Sequence, residues 1–228
     1  MLTKFFTSCF SDFYHAFYYS VLILSAIVGI AYHRRTDASF KWICRLLILT
    51  FISELIAKLQ GITTGHNGIV YDVFTPIEYF IYVNIFTSFL ANKKWKNLLF
   101  GSAAALLLID IINVIFFQSA KEVPTNLINI EMVLLVFLSL ILFIDIRQKP
   151  VYENIVAEGV FWFNSAVLFY YAFSILIWGF YGVMYGMDDP PKLNQHMLLV
   201  SSSLLYIIFS FSIVLTCGLS NKLIVKNA

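Results

Sequence analysis

The sequence predicts an all-α membrane protein, a bundle of seven transmembrane helices. Three observations carry the prediction. Of 228 residues, 60% are hydrophobic and only 12% are charged, about half the charge of an ordinary soluble domain. Seven apolar stretches each come near the roughly 20 residues that cross a bilayer as a helix. Those stretches are continuous, whereas the strands of a membrane barrel alternate over about ten residues.

The elements run in order along the chain. Residues 14–32 are apolar between Asp12 and His33. Residues 42–60 are apolar around Arg45, Glu54 and Lys58. Residues 75–91 open with Thr75-Pro76-Ile77-Glu78, which matches a capping box with proline at the first helical position. Residues 95–117 contain Gly101, Ala103, Ala104 and Ala105, small side chains suited to close helix approach. Residues 125–146 form the fifth span. Residues 160–182 start with Trp162 and Asn164, placed for a helix–helix hydrogen bond, and end in Tyr170, Tyr171, Trp178 and Tyr181, read as packing or belt aromatics. Residues 197–218 close the set. They leave no room for a soluble domain, so residues 1–228 read as one integral membrane domain without internal repeats. Residues 61–74 and 183–196, rich in glycine, asparagine, aspartate and proline, read as the longest connections.

Basic residues set the orientation, because Lys and Arg are retained on the cytoplasmic side. Alternate connections hold Arg34, Arg35, Lys41, Arg45, Lys93, Lys94, Lys96, Arg147, Lys149, Lys222 and Lys226 on one side, and Lys4, Lys58, Lys121 and Lys192 on the other. The bias predicts an outside N-terminus and a cytoplasmic C-terminus in the plasma (inner) membrane. The N-terminus lacks a convincing cleavable signal. Residues 6–9 read as an interfacial lead into the first helix, because the apolar run before them is too short for a lipid-attachment box. Cys9, Cys44 and Cys217 are scattered and odd in number, so they read as packing thiols. A net charge of +2 gives no sign of a nucleic-acid partner.

Catalytic motifs are missing from the pattern. His15, His33, His66 and His196 sit near helix boundaries with no His-x-x-x-His spacing, so no zinc site is expected. There is no Gly-x-Ser-x-Gly, no Glu-x-x-His pair for a di-iron centre and no lysine within the seventh span for a retinal. No cofactor is expected.

The informative residues are acidic. Glu54, Glu78, Asp110 and Glu131 each fall about 9–11 Å inside a predicted helix end. Ionisable groups at such depth normally face a bundle interior or a water-filled cavity. Helical spacing adds Thr50 and Lys58 to Glu54, Thr75, Tyr79 and Tyr82 to Glu78, and Asn113 and Ser102 to Asp110. Ser203, Tyr206 and Ser210 line up on the seventh helix. Asn126 and Asn129 share a side of the fifth helix, from which Glu131 points away toward a different neighbour. The expected ligand-binding set is therefore Glu54, Lys58, Glu78, Tyr82, Asp110, Asn113, Glu131 and Tyr206, around an outward-facing acidic pocket. Several carboxyls in low dielectric cannot all ionise cheaply. Glu131, with no local partner, is expected to be neutral. Glu54 is expected to be charged and held by Lys58, so that Glu54→Gln is the damaging change.

The pattern best suits a sensor or receptor-like module for a small molecule or lipid headgroup. Its partners would be the bilayer and a cytoplasmic or membrane signalling protein, since short inner loops require a signal to pass elsewhere. A lipid-active enzyme using two carboxylates and a proton- or cation-coupled carrier are the alternatives. The charge bias makes a direct prediction. A cysteine placed at Asn67 will be labelled from outside the cell, and one at Lys94 only from inside; the opposite pattern overturns the orientation.

Overall fold

The computed structural model describes residues 12–90, 93–119, 123–148, 155–184 and 192–226. Lys4, Cys9, residues 6–9, Lys121, Lys149 and residues 185–191 of the 183–196 connection lie outside the described residues. Seven α-helices occupy the described chain: α1 Phe13–Tyr32, α2 Ala38–Thr64, α3 Gly68–Phe89, α4 Lys93–Phe116, α5 Thr125–Gln148, α6 Gly159–Met184 and α7 Lys192–Lys226. A single 3-10 turn, Ile155–Ala157, precedes α6. The chain is a helical membrane bundle. Six of the helices are long and apolar enough to cross a membrane. The seventh, α2, carries Lys41, Arg45, Glu54 and Lys58, but at 27 residues it is long enough and packs between α1 and α3.

Local signals explain the helix starts. Asp12 caps α1 by accepting from the His15 N–H at 2.9 Å. Asp37 caps α2 by accepting from the Phe40 N–H at 2.9 Å. Both satisfy a backbone donor that a helix start leaves free. At the far end of α2, Gly65 takes φ +81°, a left-handed conformation that suits glycine.

The α2–α3 connection differs from the expected one. In place of a long loop over residues 61–74, only Gly65, His66 and Asn67 separate the two helices. α3 begins at Gly68 and runs through Pro76. Thr75-Pro76-Ile77-Glu78 is therefore mid-helix, and Glu78 caps nothing. Packing against α2 and α4 offsets the backbone bond that Pro76 cannot donate. Both helices gain turns, so Glu54 and Glu78 lie ten residues from the ends at Thr64 and Gly68, about 15 Å and deeper than expected. At 35 residues, α7 is also longer than residues 197–218.

Contacts close a ring in the order α1, α2, α3, α5, α6, α7, with α4 outside it against α3 and α5. The stripe Leu99, Leu106, Asp110 and Asn113 is the buried side of α4; Leu107, Leu108, Ile111, Ile112 and Ile115 are exposed. Similar apolar faces on α1 and α5, such as Leu24, Ile27, Val133 and Phe137, form the surface that lipid would cover. The interior toward the Leu90 and Gly159 ends is aromatic: the Phe163 ring lies 4.9 Å from Phe209, 5.9 Å from Phe86 and 6.5 Å from Tyr82. Arg45 stacks 4.3 Å over Trp42 near the start of α2. Cys44 and Cys217 are buried free thiols.

Small residues let helices approach at Gly29 and Gly159; of the run expected to do so, Ala103 packs against the core but Gly101 stands open. A Cβ on Gly101 would meet nothing within 4 Å. On Gly29 it would press on the Cys44 carbonyl at 2.9 Å. On Gly159 it would overlap Thr216 Oγ1 and the Ser212 carbonyl, with Phe40 Cζ at 3.0 Å. Backbone cannot retreat as a side chain can. Gly159→Ala is expected to destabilise the purified protein by about 1–3 kcal/mol in thermal or denaturant unfolding. Gly101→Ala should be neutral or mildly stabilising. Equal responses would contradict this packing.

Candidate functional site: a carboxyl–tyrosine cluster

Three of the four acids meet inside the ring. The Tyr71 hydroxyl donates weakly to Glu54 Oε1 at 3.5 Å, and Tyr18 is a further partner of the same carboxyl. Tyr171 Oη lies 3.3 Å from Glu78 Oε1 and 3.1 Å from Tyr82 Oη. A phenol has one proton, so Tyr171 can donate to only one neighbour. A chain in which Tyr82 donates to Tyr171 and Tyr171 to Glu78 satisfies all three groups. Glu131 is 4% exposed and its Oε1 has no hydrogen-bond partner. It lies within electrostatic reach of Glu78, Tyr79, Tyr82 and Tyr171.

Glu131 points away from the side shared by Asn126 and Asn129, and the different neighbour it meets is Glu78. Asn126 and Asn129 are both exposed, and Glu131, a little more than half a helical turn on, faces inward to Glu78. The seventh helix contributes Tyr206, within reach of Glu54, Glu78, Tyr82 and Tyr170 and 6.2 Å from Tyr18 ring to ring. Ser202 Oγ donates to Tyr170 Oη at 3.2 Å. Ser203 and Ser210 do not reach the cluster; their hydroxyls donate to Leu199 O at 2.7 Å and Tyr206 O at 2.8 Å. Every ring helix thus supplies a carboxyl or a phenol. Glu54, Glu78, Tyr71, Tyr170 and Tyr206 are only partly buried although their partners lie on other helices or turns around them.

Three expected members stand elsewhere. Lys58 makes no salt bridge with Glu54, although it is within electrostatic reach of it; its Nζ lies 5.8 Å over the Tyr19 ring. The expected support of Glu54 by Lys58 is therefore a longer-range attraction and not a direct ion pair. Asn113 joins α4 to α5, donating to Gln118 Oε1 at 3.1 Å and accepting from Asn126 Nδ2 at 3.2 Å. Asp110 faces Asp72 across the α3–α4 joint, outside the ring. Ser102 bonds Tyr79 at 2.9 Å in that same joint.

Tyr18, Tyr71 and Asp72 are members that the sequence pattern does not single out. Tyr71 and Asp72 fall in the expected loop. Their signal is spacing: 71, 75, 78 and 82 share one helical face, and 72, 76 and 79 another. Tyr171, expected to serve packing, carries a hydroxyl that reaches Glu78. The expected Asn164 bond is present, from Nδ2 to Ser139 O at 2.9 Å.

Two histidines gather at the end where α1 and α7 begin. His15 Nδ1 is 3.0 Å from both Asp12 carboxyl oxygens. His196 stacks on Tyr14 at 4.1 Å, with Nε2 3.9 Å from Asp12 Oδ2. Among the described residues no three His, Cys, Asp or Glu side chains are grouped as a metal ion requires.

Fold and site together define the class: a helical membrane protein with an internal carboxyl–tyrosine cluster. No family model, curated protein or solved structure matches the chain.

The Asp12 cap yields a pH prediction. The His15 backbone N–H, then its ring, hold the Asp12 carboxyl below its usual range. A depressed folded-state pKa contributes stability that is present above the unfolded value and lost as pH falls through the folded one. The stability gap between wild type and Asp12→Asn will persist at mildly acidic pH and close below the ordinary carboxylate range. A gap that does not change on acidification contradicts the role.

Proposed function

We propose that the carboxyl–tyrosine cluster binds a small molecule or lipid headgroup and that the chain is a receptor-like sensor. One observation supports this above the rest. Three carboxyls from α2, α3 and α5 converge on phenols from α1, α3, α6 and α7, with no Lys, Arg or His salt-bridged to those carboxyls among the described residues. Carboxyls held only by phenols and by a lysine at longer range, with Glu131 Oε1 lacking any partner, are costly at this depth. A bound molecule carrying donors would satisfy the remaining acceptor positions and would add to the few polar links, such as Tyr171 with Glu78, that already cross the ring. Differential affinity for two arrangements of those helices is what a sensor requires.

Among the described residues the acids are not grouped as a metal ion requires, so an organic molecule with several donors is the better fit to acids and phenols together. In the orientation set by the basic residues, the cluster lies toward the outer face of the plasma membrane, and the signal passes to a separate partner. The proximity of Glu131 to Glu78 also suits a proton relay, the carrier alternative.

The test is a thermal-shift screen of the purified chain in nanodiscs against amine, phosphate and sugar compounds. Hits should bind Glu78→Gln or Tyr171→Phe at least about tenfold more weakly, the scale of one hydrogen bond to a charged group. Hits that bind both variants as they bind wild type sink the site. Proton flux in vesicles that Glu131→Gln abolishes, without any hit, would establish the carrier reading instead.

A further inference from the structure

A groove of about 620 Å³ runs between α3 and α4 on the outside of the ring. Asp72, Pro76, Phe80, Phe100, Leu107 and Asp110 are among its walls. It is separate from the carboxyl–tyrosine cluster, and its chemistry is independent of that cluster's function.

The two aspartates are orphaned. Asp72 is 7% exposed and Asp110 8%. Neither Asp72 Oδ2 nor Asp110 Oδ1 has a hydrogen-bond partner, and the two carboxyls are within electrostatic reach of each other. Pro76 adds a third acceptor. It lacks the N–H that would bond the Asp72 carbonyl four residues back. Two neighbouring carboxyls, each with an unpartnered buried oxygen, therefore stand at the turn where a carbonyl has lost its helical donor.

The rest of the groove is hydrocarbon. Ile77, Phe80 and Leu107 are 45%, 46% and 49% exposed on its walls, so it opens sideways to the apolar surface. Asp72 lies four residues after Gly68 and Asp110 six before Phe116, about 6–9 Å from the helix ends. At that depth a membrane passes from headgroups to chains.

We propose that this groove is a lateral binding site for the primary ammonium head of an amphiphile, whose chain lies along Phe80, Phe100 and Leu107. A primary ammonium brings three N–H donors and one positive charge, which answers three acceptors and part of their negative charge. A trimethylammonium head brings the charge without donors. A divalent ion would find two carboxyls and one carbonyl, short of the six or more oxygens that Ca²⁺ takes. A soluble amine would leave the apolar walls unused.

The experiment places the full chain in phosphatidylcholine nanodiscs at neutral pH. It titrates dodecylamine, dodecyltrimethylammonium and dodecanol while following thermal unfolding. Dodecylamine should raise the midpoint of wild type at concentrations where the other two do little. Its half-saturating concentration should rise at least about tenfold in Asp72→Asn/Asp110→Asn. Ala104→Phe, which fills the groove from α4 and leaves both carboxyls intact, should lose the effect equally; it keeps the test open if the double variant fails to fold. Equal shifts from the three amphiphiles overturn the proposal. So does an amine shift retained by both variants, or stabilisation of wild type by Ca²⁺ or Mg²⁺ with no response to the amine.

Discussion

The core of a bilayer contains no water to satisfy a polar group, and most of this architecture follows from that constraint. Each carboxyl carried inward by a helix must find a donor on protein or bound molecule. Phenols are suited to the task, because their rings pack among apolar side chains while the hydroxyl reaches a partner. Glu78 meets Tyr171, and Glu54 meets Tyr71. Hydroxyls that find no such partner turn back on their own helix, as Ser203 and Ser210 do. The bundle is held by packing everywhere and given its register by these few polar joints. Asn164 on the Ser139 carbonyl and Ser102 on Tyr79 are two more.

Pro76 has consequences beyond its own turn. A helix that tolerates it continues back to Gly68, and that extension brings Tyr71 to Glu54 and Asp72 to Asp110. It also separates the acids into two groups. One faces the ring interior through α2, α3 and α5. The other sits at the α3–α4 joint, because α4 lies outside the ring and can show its acid only to α3 or to lipid. The groups differ in their surroundings: phenols for the first, hydrocarbon walls for the second.

The aromatic interior sets the direction of access. Phe86, Phe163 and Phe209 are fully buried and fill the bundle toward the Leu90 and Gly159 ends. Gly159 lets α6 and α7 close tightly beside them. The polar cluster lies on the other side of this plug, toward the ends where α1, α3, α5 and α7 begin. A molecule entering the ring from those ends reaches carboxyls and phenols before it reaches packed rings. The paired histidines and Asp12 stand at that same end.

The class of fold is legible in composition and in the length of the apolar runs, because the cost of exposing backbone in lipid leaves helices as the ready way to cross. Depth also marks Glu54, Glu78 and Glu131, since a carboxyl in an apolar run has few places to go. Helix boundaries near glycine and proline are not legible in the same way. Tertiary contacts around 61–74 outweigh turn propensity, so the capping box at Thr75 dissolves into mid-helix. Partner identity is not legible at all. The i, i+4 spacing suggests Lys58 for Glu54, whereas the fold supplies Tyr71 and Tyr18 from other helices and leaves Lys58 over Tyr19. One-dimensional periodicity tells which side chains share a face of one helix. Which faces meet is decided by the ring order and by α4 standing outside it. Only the assembled bundle therefore separates Asp110 from the other acids and pairs it with Asp72.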